Sequence, residues 1–211
     1  MSFSATWRQQ LARLLFELGP DAPTLCDGWT TRDLAVHLWI RENKPLAAAG
    51  MVIPLLRGYL RDTSVRQRAR QFDEVVGEWA AGPPLSHRLI DAKVNAVEHF
   101  VHLEDVRRVA SGTAPLELSA AAKKELYAAL RLLARWVLGA SESPIVIYPD
   151  GFDRVVAVEK RGVSMCGNDV VCISGQVGEL LLWLFGRDVA QVVISGDTHE
   201  AGASRIRRRS F

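Results

Sequence analysis

From Trp7 to Gly139 apolar residues return every three or four positions, in runs several turns long that are separated by short breaks rich in Gly and Pro. Such a period describes helices that each bury one stripe. Trp7, Leu11, Leu14, Leu15 and Leu18 make the first stripe, and Gly19 and Pro20 close it. A second helix is predicted over about 31–44. Thr30 is its candidate N-cap, with a hydroxyl placed to accept from the backbone around Asp33, and Asp33 itself suits the positive end of the helix dipole. Pro45 and Gly50 then loosen the chain, and a segment interrupted by Pro54 and Gly58 follows. Residues 64–82, SVRQRARQFDEVVGEWAAG, read as one more helical stretch before the break at 82–84. Further helices are predicted over about 86–110, stopped by Ser111 and Gly112, and over about 118–139. Long helices with short connections predict an antiparallel bundle over residues 1–140.

At Ser143 the texture changes. SPIVIYP and RVVAVEKR are short β-branched runs on either side of PDGFD, the pattern of a hairpin. DVVCIS and VAQVVISG are further strands, and GQVGELLLWLFGR is a helix opened by glycine. A small α/β subdomain is expected over 143–196, followed by a basic, flexible tail over 197–211.

That tail holds four Arg against one Asp and one Glu, so the remaining chain carries 22 basic and 22 acidic residues and has no net charge. A nucleic-acid surface needs a basic stripe on the fold, and none is visible. No apolar run approaches the roughly 20 residues of a membrane span. The N-terminus also lacks the basic-then-apolar order of a signal peptide, so a cytoplasmic protein with neither nucleic-acid nor membrane partners is expected. Cys26, Cys166 and Cys172 are odd in number and scattered. They suggest neither a disulfide framework nor a Cys-rich zinc site.

The chemistry gathers in VEHFVHLEDVRR, residues 97–108. On a wheel of about 100° per residue, Val94, Val97, Val101 and Val109 define a buried face. Glu98, His102 and Asp105 fall on it or at its edge, with Asn95 beside them. Glu98 and His102 stand at i and i+4, so their β-carbons lie about 5–6 Å apart. Asp105 can orient the His102 ring from behind. A buried ionised carboxylate is costly unless it is paired or bound to a metal, and without such help desolvation raises its pKa. A plain hydrogen-bonded Glu98–His102 pair satisfies this helix taken by itself.

In TTRDLAVHLWIRE, His37 lies beside Leu34, Leu38 and Arg41 near a buried face, with Asp33 one turn earlier. Two helices then offer His37, Glu98 and His102 to one interior point, as bundle cores hold metals. Two imidazoles and one carboxylate leave coordination positions open, which suits catalytic zinc, and the same set suits non-haem iron. Asp105 and Asp33 are expected behind the ligands. His99, about 60° round the helix from His102, reads as a supporting or surface residue. His87 and His199 receive no role.

GWTTRDLAVHL, residues 28–38, together with NAVEHFVH, residues 95–102, resembles the DinB-like metalloprotein superfamily, and within it the N-terminal domain of mycothiol-dependent maleylpyruvate isomerases. The resemblance implies a DinB-like four-helix bundle that holds a divalent metal, often zinc, through His37, Glu98 and His102. It also implies that the C-terminal α/β part resembles a sterol-carrier-like subdomain. The activity implied is that of a mycothiol-dependent S-transferase or isomerase, in which a low-molecular-weight thiol is activated against a small-molecule electrophile. Arg187, at the end of LLLWLFGR, is a candidate anchor for an anionic substrate or thiol cofactor. An Arg at a helix C-terminus is also stabilised there by the dipole. A hydrolase that activates water at the same triad and a non-enzymatic metal-binding protein are the alternatives.

Overall fold

The computed structural model describes residues 3–82, 92–112, 114–159 and 170–196. His87, Cys166, His199 and the tail 197–211 lie outside the described residues, as do the side chains of Val94 and Asn95. Contacts divide the chain into two compact units, Met1–Ala114 and Pro115–Ser210.

The first unit is helical: α1 (Phe3–Leu18), α2 (Thr31–Asn43), α3 (Pro45–Ala48), α4 (Arg57–Arg68), α5 (Phe72–Ala80) and α6 (Ala92–Ser111). Gly19, in the left-handed region at φ +73°, ends α1, and its amide donates to the Leu15 carbonyl at 3.0 Å. The predicted stripe is the packed one: Trp7, Leu11 and Leu15 are buried, and α1 packs on α6 and α5. Full burial of each such side chain is worth about 1.5–3 kcal/mol. The stretch 64–82 is two helices instead of one, broken at Ala69–Gln71. The break lets α5 bury Phe72, Val75, Val76 and Trp79 against α1 and α2 while α4 packs on α2 with Val65 left exposed.

α6 departs most from its wheel. Every residue from Ala96 to Val106 is buried, so that stretch has no solvated face, and Val109, assigned to the buried side, is 40% exposed. Glu98, His99, His102, Glu104, Asp105 and Arg108 are therefore all interior. Burial on this scale requires a partner for each charge. Glu104, for example, accepts from Arg108 Nε at 2.8 Å and from Arg107 at 2.9 Å.

The second unit starts with α7 (Ala120–Leu138), capped by the Ser119 hydroxyl, which accepts from the Ala122 amide. Four strands follow, β1 (Ile145–Pro149), β2 (Val155–Val158), β3 (Val171–Gly175) and β4 (Val193–Gly196), with α8 (Val177–Leu184) between the last two. The sheet order is β2-β1-β3-β4. β1 and β2 form the expected hairpin, β1 runs parallel to β3, and β4 returns antiparallel to β3. The unit boundary falls near residue 114 and not near 140. The cause is the α7 stripe of Ala122, Leu126, Leu130, Ala134 and Val137, which packs on β2 and α8. Tyr127 adds a stack on Phe152 at 4.5 Å. Among the described residues, no helix is long and apolar enough to cross a membrane.

Candidate metal centre

α2 delivers His37. At its start Asp33 accepts from the Thr30 amide at 3.1 Å and from the Thr30 hydroxyl at 3.0 Å, and the two residues form a capping box with Thr30 as N-cap. The other Asp33 oxygen pairs with Arg68 of α4. The expectation that Asp33 stands behind His37 is corrected: its partners are Thr30 and Arg68, because a carboxylate in the first turn is drawn to the helix end. Trp29, just before the cap, is half-buried and tilts against the His37 ring with centroids 5.2 Å apart.

α6 delivers the rest. Glu98 Oε1 accepts from His37 Nε2 at 3.1 Å, from His102 Nε2 at 3.2 Å and from Arg41 at 2.7 Å. His102 Nδ1 faces Asp105 Oδ2 at 2.9 Å, which points Nε2 at Glu98. His37 Nε2, Glu98 Oε1 and His102 Nε2 thus meet, with ligand-type atoms of the three residues within 4.8 Å of one another. Bonds of about 2.0–2.1 Å in a tetrahedron put neighbouring ligand atoms about 3.3 Å apart. The two His–Glu separations, 3.1 and 3.2 Å, are close to that edge. The donor set fits a zinc-like dication, and the carboxylate behind His102 is the usual support for such a ligand.

The electrostatics follow from burial and pairing. Burial works to raise the Glu98 pKa, yet hydrogen bonds from His102 and His37 and the Arg41 charge hold it well below 4.5. Desolvation alone, read from the apolar stripe, predicted a raised value; Arg41 and the two imidazoles reverse the sign. For His102 burial opposes the charge, and bonds with Asp105, Cys26 and Glu98 overcome it, so the imidazole sits well above 6.5. His37 moves the other way: burial lowers it, helped by the neighbouring charges of His102 and Arg41, against its bond to Glu98.

A cavity of about 370 Å³ opens beside His37 between α2 and α4. Trp29, Val36, Ile40, Met51 and Leu60 form its apolar wall, and Asp33, Ser64 and Arg68 supply polar groups. That size and mixture suit a small molecule.

No family model matches the chain, and no curated protein matches it. Among solved structures it is similar to mycothiol-dependent maleylpyruvate isomerase, with a TM-score of 0.56 at 15% identity. A point mutant of that isomerase gives 0.57 at 14%. Each alignment covers 92% of this chain and 90% of the other. At such identity the likeness is one of fold, and it extends the resemblance seen in two short motifs to nearly the whole chain.

Sequence reasoning missed two participants and misplaced a third residue. Arg41 follows His37 by one turn on the same stripe, and that spacing was its signal. Cys26 reaches Asp105 from the loop before α2, with Sγ 3.2 Å from Oδ2, and nothing local announces it. His99 is neither supporting nor superficial: it is 1% exposed and bonded to Glu42 at 3.1 Å, in a separate cluster. Arg187 belongs to the second unit, where its NH1 donates to the Phe185 carbonyl at 2.6 Å.

Proposed function

We propose that this protein is a metal-dependent enzyme that holds one divalent ion, zinc, on His37, Glu98 and His102. It activates mycothiol or a similar small thiol for transfer to, or isomerisation of, a small electrophile. The helical unit is, on this reading, a DinB-like four-helix bundle, and the second unit is sterol-carrier-like. The observation that carries the proposal is the convergence of two imidazole nitrogens on one carboxylate oxygen, with Asp105 fixing the tautomer of one ring. The fold shared with a mycothiol-dependent isomerase supports the choice of a thiol.

When bound, the ion supplies an open position at which a thiol is stabilised in its deprotonated form. The chain's own groups do the rest. Asp105 keeps a proton on His102 Nδ1 and so leaves Nε2 to bind. Trp29 packs beside His37 and, with Val36, Ile40 and Leu60, keeps water from the cavity wall. Arg41 balances the charge of Glu98. The cavity beside His37 seats the electrophile. Arg187 remains a candidate anion anchor, and unchanged substrate affinity in Arg187→Ala removes it.

The test is calorimetry of zinc-loaded protein with a low-molecular-weight thiol, followed by a conjugation screen. The proposal expects saturable thiol binding that disappears in His37→Ala. Absence of thiol binding overturns it, and turnover without any thiol favours the hydrolase.

A further inference from the structure

His102 has a second side. Its Nε2 faces Glu98 and His37, whereas Nδ1 faces Asp105 Oδ2 at 2.9 Å, with the Cys26 thiol 3.2 Å from that same oxygen. Cys26 also bonds with the His102 ring. Ligand-type atoms of Cys26, His102 and Asp105 lie within 4.8 Å of one another, the same limit that the first set meets.

The loop that brings Cys26 here is anchored at several points. The Cys26 amide donates to Thr24 Oγ1 at 3.1 Å, and the Trp29 amide donates to the Cys26 carbonyl at 2.9 Å. Gly28 turns the chain between them at φ +71°, a conformation glycine accepts freely. The Leu25 amide donates to the Asp105 carbonyl at 3.0 Å, tying the loop to α6 at the residue in question. Cys26 is half-buried, so an ion can reach it.

We propose that Cys26, His102 Nδ1 and Asp105 form a second cation site, selective for a soft, thiophilic ion such as cadmium or copper(I) and occupied in alternation with the His37–Glu98–His102 site. Thiolate selects soft cations, whereas the first set offers only nitrogen and oxygen. Alternation follows from the ring. A neutral imidazole has one lone-pair nitrogen and one N–H. With an ion on Nε2, the Nδ1–H is accepted by Asp105; with an ion on Nδ1, the Nε2–H is accepted by Glu98, 3.2 Å away. Each site's carboxylate thus serves the other site as hydrogen-bond acceptor. On coordination the Cys26 proton leaves to solvent, and the sulfur, nitrogen and oxygen spread slightly to admit the ion. A thiophilic ion held there withdraws His102 from the first site. The second site stands whether or not the first performs the chemistry proposed above.

Cadmium is the probe. Titration of the full chain should produce the ultraviolet sulfur-to-cadmium absorption and protect Cys26 from alkylation, read by mass spectrometry. Cys26→Ser, which leaves Cys166 and Cys172 in place, should lose that absorption, and His37→Ala should keep it. Zinc-loaded wild type should release its zinc as the absorption grows. No absorption in wild type, undiminished absorption in Cys26→Ser, or alkylation indifferent to cadmium overturns the site. Zinc retained alongside sulfur-bound cadmium overturns the alternation.

Discussion

Two buried glutamates in the helical unit, Glu42 and Glu98, each meet an arginine and at least one histidine, and only one of them looks like a site. Glu42 uses both oxygens. Arg8 binds it bidentately at 2.7 and 2.8 Å, Trp79 Nε1 donates to it at 3.1 Å and His99 Nε2 lies at 3.1 Å. Arg8 also donates to the Trp79 carbonyl and lies over the Trp79 ring. All four side chains are buried, and burial, which raises the Glu42 pKa, is outweighed by the bonds from His99 and Arg8. Glu98 gathers three contacts on one oxygen as well, Oε1, but one of its partners, His37, borders a cavity. Donors crowd one oxygen in both clusters, so what marks Glu98 is the open space beside its partner His37.

The largest effect expected from that contrast is on stability. Glu42→Ala leaves the Arg8 guanidinium buried without its counter-charge, and should destabilise the protein by about 3–5 kcal/mol in urea melts while metal content per folded chain stays unchanged. A loss of metal there erases the distinction between the clusters.

Next is His37→Ala, which should lose most of its bound zinc yet keep its fold, because apolar burial and not the ion supplies most of the stability. Elemental analysis beside circular dichroism reads both, and stoichiometric zinc in the variant removes His37 from the ligand set. Asp105→Asn is milder. It disturbs a hydrogen bond behind a ligand and should weaken zinc binding by about 10–100-fold; equal affinity by competition titration shows that Asp105 does not support the ion.

The smallest effect is a change of slope with pH. In chelated protein the raised His102 pKa gives stability that is complete below 6.5 and is lost as pH rises through the folded value. His37, shifted down, contributes fully above 6.5 and adds no slope there. The melting temperature of chelated protein should therefore fall above pH 6.5, whereas that of zinc-loaded protein should rise, since zinc binds deprotonated imidazole. Parallel slopes count against an ion on His102.

How much of this was legible in the sequence depended on distance along the chain. The α1 stripe and the β1–β2 hairpin are local patterns: the hairpin is found as read, and the stripe is buried at Trp7, Leu11 and Leu15 but only half-buried at Leu14 and Leu18. Glu98 and His102 are one helical turn apart, so their meeting was legible as well. Arg8 and Glu42 are 34 residues apart, and Glu42 and His99 are 57 apart. No period connects such positions, so the second cluster was invisible and His99 was misjudged. The wheel of α6 failed for a related reason: it assumes one solvated face, and a helix buried from Ala96 to Val106 has none. The α7 stripe was recognised, but a stripe does not name its partner, and within the second unit the partners are β2 and α8.

On the proposed reading Glu98, His37 and His102 bind an ion, and the cluster of Glu42, Arg8, Trp79 and His99 binds none. X-ray absorption at the zinc edge tests it most directly, on wild-type protein loaded with one equivalent of zinc. The expected spectrum shows a shell of nitrogen and oxygen alone at about 2.0–2.2 Å, with the outer scattering of two imidazoles. Sulfur in the first shell at about 2.3 Å, or a protein that retains no zinc to measure, contradicts it.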